Sequence, residues 1–202
     1  MEYGSGGIWR AIKLEDKAIK EIVTLTALAA LILLAIRNIF NPNTEFIFDT
    51  IYAALVIWLF GRYYSQLHQD SISYSLLVFA MILHNLNLYP FSPFGIKFDH
   101  YMHFTGGLAI ALIADRFFIE KMSRAKRLFL MVFFTLGVGA LGEIVEWLGY
   151  TFVGSGDGMF FHGIGDEIEW SNAIIDMIFN GLGAIAVGLL TIKKHPVKKP
   201  SF

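Results

Sequence analysis

Long apolar runs alternate with short polar joints along this chain. The runs lie at about 22–40, 46–62, 71–89, 99–118, 128–153 and 171–192, and each carries few charges. About 20 consecutive apolar residues are enough to cross a bilayer as a helix, so six spans are expected. Asn41-Pro42-Asn43 separates the first two, and Pro90-Phe91-Ser92-Pro93-Phe94-Gly95 separates the third from the fourth. Ahead of the spans, residues 8–20 put Ile8, Ile12 and Ile19 roughly on one side and lysines on the other. That pattern suits a short helix lying on the membrane surface, and a solvated tail reads equally well. The expected fold is all-α: a polytopic membrane helix bundle of about six transmembrane helices with an N-terminal amphipathic helix. No internal repeat and no second domain stand out. Residues 1–202 are expected to form a single integral membrane domain, with 1–20 as a cytoplasmic or interfacial segment, 21–192 as the bundle and 193–202 as a cytoplasmic tail.

Composition supports the membrane reading. The chain is 55% hydrophobic and only 16% charged, against about 25% charged in soluble domains. Mean hydropathy is +0.57. A net charge of -1 argues against nucleic acid as a partner; membrane lipids are the expected neighbours. The absence of cysteine removes disulfides, thiolate metal sites and thiol nucleophiles. Met1-Glu2-Tyr3-Gly4-Ser5 lacks a basic stretch running directly into an apolar core. The first span is therefore expected to serve as its own insertion signal.

Basic residues orient the bundle. If both termini are cytoplasmic, every one of the 16 lysines and arginines except Arg37 and Lys97 falls on the cytoplasmic side. The expected location is the cell (inner or plasma) membrane. The 153–169 loop, with Asp157, Asp166, Glu167 and Glu169, then faces out.

This topology gives the polar residues of the spans a common depth. Asp49, His84, Asn87, Asp99, His100, His103, Glu143, Glu146, Asp176 and Asn180 all fall in the outer half, and the inner halves are nearly free of ionisable groups. Glu143 and Glu146 are three apart and share a helix face, which Trp147 and Tyr150 continue. Each acid costs roughly 2.5 kcal/mol or more near the bilayer centre, so partners are required. Asp99 and His103 share a stripe at i, i+4, as do Asp176 and Asn180. Glycines 106, 107, 137, 139, 142, 181 and 183 cluster beside the acids, and small residues let membrane helices approach closely.

Imidazole with several carboxylates is a ligand set suited to Zn, Mn or Fe, and less to Cu(I). The candidate ligands of a divalent metal are His103, Glu143, Glu146 and Asp176, with Glu143 and Glu146 also the candidate catalytic acids. Asp99, as a group orienting His103, stands behind them with His100, Asn180 and Trp147. The plain alternative is an interhelical network of hydrogen bonds and ion pairs, each adding less than ~2 kcal/mol. For His84 alone that alternative is the simpler one; for His100 both readings stand. The 153–169 loop holds five glycines and sits above the acids. A loop of that length is either a functional lid or re-entrant cap, or an exposed mobile segment.

Asp99-x-x-x-His103-Phe104, then Glu143-x-x-Glu146-Trp147, then Asp176-x-x-x-Asn180-x-x-Gly183 resembles the YjdF-like family of uncharacterised bacterial and archaeal inner-membrane proteins. The resemblance covers about Asp99 to Leu190. It is more distantly similar to VanZ-like proteins, which share an Asp–His, Glu–Glu, Asp–Asn layout and are linked to glycopeptide resistance and the cell envelope. The resemblance implies a membrane protein with these acids and His103 as a shared site, and by analogy a lipid or lipid-linked envelope substrate. It implies no established activity. Three readings follow: a metal-dependent membrane enzyme, an ion- or proton-coupled transporter using the same acids, and a non-catalytic scaffold.

Overall fold

A computed structural model describes residues 5–40, 46–66, 70–86, 88, 91–117, 122–152 and 166–192. Within these, the side chains of 5–15, 38, 46–49, 117, 145–152, 166–170, 172 and 192 are not described. Six α-helices follow in order: α1 (Ser5–Phe40), α2 (Phe46–Arg62), α3 (Ser71–His84), α4 (Phe98–Phe117), α5 (Arg124–Phe152) and α6 (Asp166–Ile192). A short 3₁₀ turn, Pro93–Gly95, precedes α4. No strand occurs among the described residues. The described residues form an all-helical chain, as the periodicity predicts.

Three helices contain segments long and apolar enough to cross a membrane: Asp16–Arg37, Arg124–Ile144 and Ala173–Thr191. The apolar parts of α2 and α3 are shorter, and the 20-residue α4 carries Asp99, Asp115 and Arg116. The outward faces explain the composition. Leu25 is 69% exposed and Leu33 67%, a surface that lipid covers at no cost and water does not.

Several expected boundaries change: α5 begins at Arg124 rather than 128, and α6 begins at Asp166, so 166–169, expected in the loop, are helical. No separate amphipathic helix forms over 8–20, because α1 runs unbroken for 36 residues, about 54 Å at 1.5 Å per residue. Between Ile8 and Ile22 the chain is built of Ala, Lys, Glu, Ile and similar residues with no Pro or Gly, so nothing ends the helix. The third helix stops at His84 rather than near 89. Asn85 caps it, its side-chain amide donating to the Met81 carbonyl at 2.9 Å.

Packing falls into two groups joined through α4. Ala27 and Leu31 of α1 meet Ala53 and Ile57 of α2 and Tyr74 and Val78 of α3. Ala111 and Ala114 of α4 meet Met131 of α5 and Ala184 and Val187 of α6. Leu77 of α3 with Ala109, Ile110 and Ile113 of α4 closes the seam.

One end of the bundle is tied by polar contacts. Tyr64 donates to Asp16 at 2.7 Å, and Ser71 N–H donates to the same carboxylate at 3.1 Å. Asp70 caps α3 through Ser73 N–H at 2.7 Å and pairs with Arg116. Asp115 and Arg127, both buried, form an ion pair with Nε to Oδ1 at 2.6 Å. This pair corrects the expectation that the helices are nearly free of ionisable groups away from the Glu–His end.

Candidate functional site

The site lies at the opposite end, where α4 begins. The joint into α4 is fixed locally. Gly95 takes φ +75°, the left-handed conformation that glycine adopts without strain. Tyr101 then donates from its hydroxyl to the Pro93 carbonyl at 3.0 Å. That sets where α4 starts, and with it Asp99, His100 and His103.

Glycines set how closely α4 and α6 approach. A Cβ at Gly107 would overlap the backbone of Asn180. A Cβ at Gly183 would lie 2.5 Å from the Phe104 carbonyl oxygen. Gly139 of α5 leaves room for the Asn180 side chain, since a Cβ there would lie 2.7 Å from Asn180 Nδ2. Among the described residues the α4–α6 contact is the most extensive between two helices. It places Asp176 and Asn180, both buried, against the first turns of α4.

Asp176 divides its oxygens between two imidazoles. Oδ1 is 2.8 Å from His100 Nδ1, and Oδ2 is 3.7 Å from His103 Nε2. The His100 ring is held flat against Phe179, with centroids 5.0 Å apart. His103 Nε2 is also 3.7 Å from Asp99 Oδ1, and its Nδ1 is 3.2 Å from Asn180 Nδ2. The orienting partner on the far ring nitrogen of His103 is thus Asn180; Asp99 stands on the same side as Asp176.

Among the described residues, two sets of donor atoms come within 4.8 Å of one another: Asp99, His100 and Asp176, and His103, Glu143 and Asp176. The second contains three of the four ligands expected from the sequence. Glu143 presents Oε1 buried and without a hydrogen-bond partner among the described residues. A buried carboxylate oxygen in that condition costs free energy unless something completes it. Lys97 is exposed just before α4.

The side chains of Glu146, Trp147 and Asp49, residue Asn87, and the loop over 153–165 lie outside what is described. The backbone places Glu146 and Trp147 on α5, about one turn beyond Glu143.

The Asp115–Arg127 pair is a buried polar feature that the sequence reading passed over. Asp115 follows Ala111 by four on the buried face of α4, a placement that only the packing reveals.

The fold and the site together define an all-helical integral membrane protein with a buried histidine–carboxylate cluster at one end of its helices. The chain belongs to the family described as Predicted membrane protein (DUF2238), whose pattern it matches over residues 19–196. This agrees with the YjdF-like resemblance. No curated protein and no solved structure matches it.

Proposed function

We propose that this protein crosses the plasma membrane six times as one integral domain. In this reading it binds one divalent metal through His103, Glu143 and Asp176, and acts there on a lipid or lipid-linked envelope molecule. The observation that carries it is the approach of those three donors to within 4.8 Å around a Glu143 oxygen that has no other described partner. One imidazole with two carboxylates suits Zn, Mn or Fe. Ligand atoms around such an ion lie roughly 3–3.5 Å apart for bonds near 2.1 Å, so modest closure of these side chains completes the set. The competing set through His100 is less apt, because His100 Nδ1 already bonds Asp176 at 2.8 Å. His100 and Asn180 are then the groups that hold Asp176 and His103 in place.

A metal held by His103, Glu143 and Asp176 would supply Lewis-acid activation of water or of a substrate oxygen near neutral pH. Glu146, on the same helix face as Glu143, is the base in this reading. An envelope substrate is proposed by analogy with VanZ-like proteins, from motif spacing alone.

Elemental analysis of purified protein, with melting in detergent, tests the metal. A ligand at 100 times its Kd stabilises by about 2.7 kcal/mol. Chelator should therefore lower the melting temperature of the native protein and leave Glu143→Gln unchanged. No stoichiometric metal and no chelator effect would reject the reading.

A specific observation favours ion- or proton-coupled transport as the second reading. Thr135 is buried with a hydroxyl lacking a described partner, and the Asp115–Arg127 pair lies toward the far end of the same helices. Protons crossing liposomes that contain the protein, and failing to cross with Glu143→Gln, would favour it.

A further inference from the structure

A cavity of about 190 Å³ opens between α2, α3, α4, α5 and α6 and reaches His103. Its lining has a direction. His84, His103 and Asn180 contribute polar groups at the end nearest the cluster, while Phe60, Leu77 and Ile110 line the other end, where Thr135 is the polar residue. Tyr52, Val56 and Phe60 line it on successive turns of α2, a run of about 12 Å at 1.5 Å per residue. Lined over two helical turns, the space runs lengthwise along the helices as a slot.

Two glycines keep it open. Gly106 and Gly142 both line the slot, and a Cβ built on either meets nothing within 4 Å. Their neighbours behave in the opposite way. Gly107, Gly139 and Gly183 are closed over by adjacent atoms and serve helix approach. Glycine at 106 and 142 therefore serves no packing contact, and its effect is to leave room beside His103 and beside Glu143.

An apolar cavity stays dry, because water needs two or more polar partners, and most of this slot offers none. Between membrane helices the apolar material at hand is hydrocarbon. Met81 and Met102 give the wall adaptable side chains, which suit a flexible chain better than a rigid ring system.

We infer that this slot seats one hydrocarbon chain of a membrane lipid, running from Phe60 and Leu77 toward His103, with the polar head at the histidine–carboxylate cluster. The position of the head rests on the site proposed above; the seat of the chain rests on the slot alone. The substrate class is then an amphiphile that presents a single chain, and the cluster meets it at the junction of chain and head.

The experiment is photolabelling of the purified protein in detergent with diazirine-tagged palmitate, mapped by peptide mass spectrometry. Label on Phe60, Leu77, Met81 or Ile110 is expected. Label confined to lipid-facing positions such as Trp58, Phe79 and Leu25 overturns the inference, and the wild-type chain alone decides this. Gly106→Leu and Gly142→Leu should lose the internal label by filling the slot, while unlabelled native lipid in excess should compete for it in the wild type. Internal label that survives both substitutions in folded protein also overturns it. Melting with and without chelator on the same samples separates the two proposals. Internal label with no chelator effect leaves the chain seat standing and the metal fallen; a chelator effect with only external label does the reverse.

Discussion

Asp176 Oδ1 lies 2.8 Å from His100 Nδ1 while its other oxygen faces His103, so a single carboxylate on α6 ties together two histidines one turn apart on α4. Both Asp176 and His100 are buried. His100→Ala removes this bond and the ring stacked on Phe179. Leaving a buried acceptor without its partner costs about 1–3 kcal/mol. The melting temperature in detergent should fall accordingly. An unchanged melting temperature would mean that the pair contributes nothing to the fold.

Gly106 and Gly107 are adjacent in sequence and opposite in consequence. At 107 a methyl meets the Asn180 backbone; at 106 it meets open space. Gly107→Ala should force α4 and α6 apart, with overpacking costing about 1–3 kcal/mol, and should weaken any metal-dependent stabilisation as His103 leaves Asp176. Gly106→Ala should be neutral or stabilising by up to about 1 kcal/mol, since alanine favours the helix. Paired melting curves check this, and equal destabilisation by the two changes would contradict the packing described.

This glycine pair shows where the sequence stops being informative. Helical periodicity indicates the helices, and the depth of the polar residues indicates that α4, α5 and α6 share a site. Which of two neighbouring glycines faces α6 depends on helix rotation, which periodicity leaves open where both flanks are apolar. The end of α3 depended on one side chain, Asn85, turning back onto Met81. Asp115 was hidden because it precedes Arg116 and the basic residues Lys121, Arg124, Lys126 and Arg127, and a charge beside charges reads as surface. Burial of Arg127 against it is a tertiary fact.

The Asp115–Arg127 pair carries its own expectation. Removing one partner of a buried pair leaves the other charge uncompensated, at a cost of about 3–5 kcal/mol. Arg127→Met should therefore be severely destabilising. Asp115→Leu combined with Arg127→Met should recover most of the loss, because two apolar side chains of similar volume often match a buried pair. A double variant as unstable as the single one would show that the guanidinium has a role besides neutralising Asp115. Thermal melting of the wild type and three variants completes the cycle.

The same end of the bundle bears on orientation. Asp16 bonds Tyr64 and Ser71, Asp70 pairs with Arg116, and Asp115 pairs with Arg127. These contacts gather the start of the apolar part of α1, the end of α2, the start of α3, the end of α4 and the start of α5. Arg62, Arg124 and Lys126 fall at that end too. Arg37 closes α1 and Lys97 precedes α4, at the opposite end. Basic residues near span ends mark the cytoplasmic side, so the cluster of His103, Glu143 and Asp176 is expected to open outward. Ser155 and Ser201 flank α6 in the sequence and should lie on opposite sides of the membrane. In intact cells an impermeant thiol reagent should label Ser155→Cys at once, and Ser201→Cys only after permeabilisation. The reverse pattern would turn the bundle over and put the cluster on the cytoplasmic side. Equal labelling of both would require an odd number of crossings before Ser155 to be paired with an α6 that does not span.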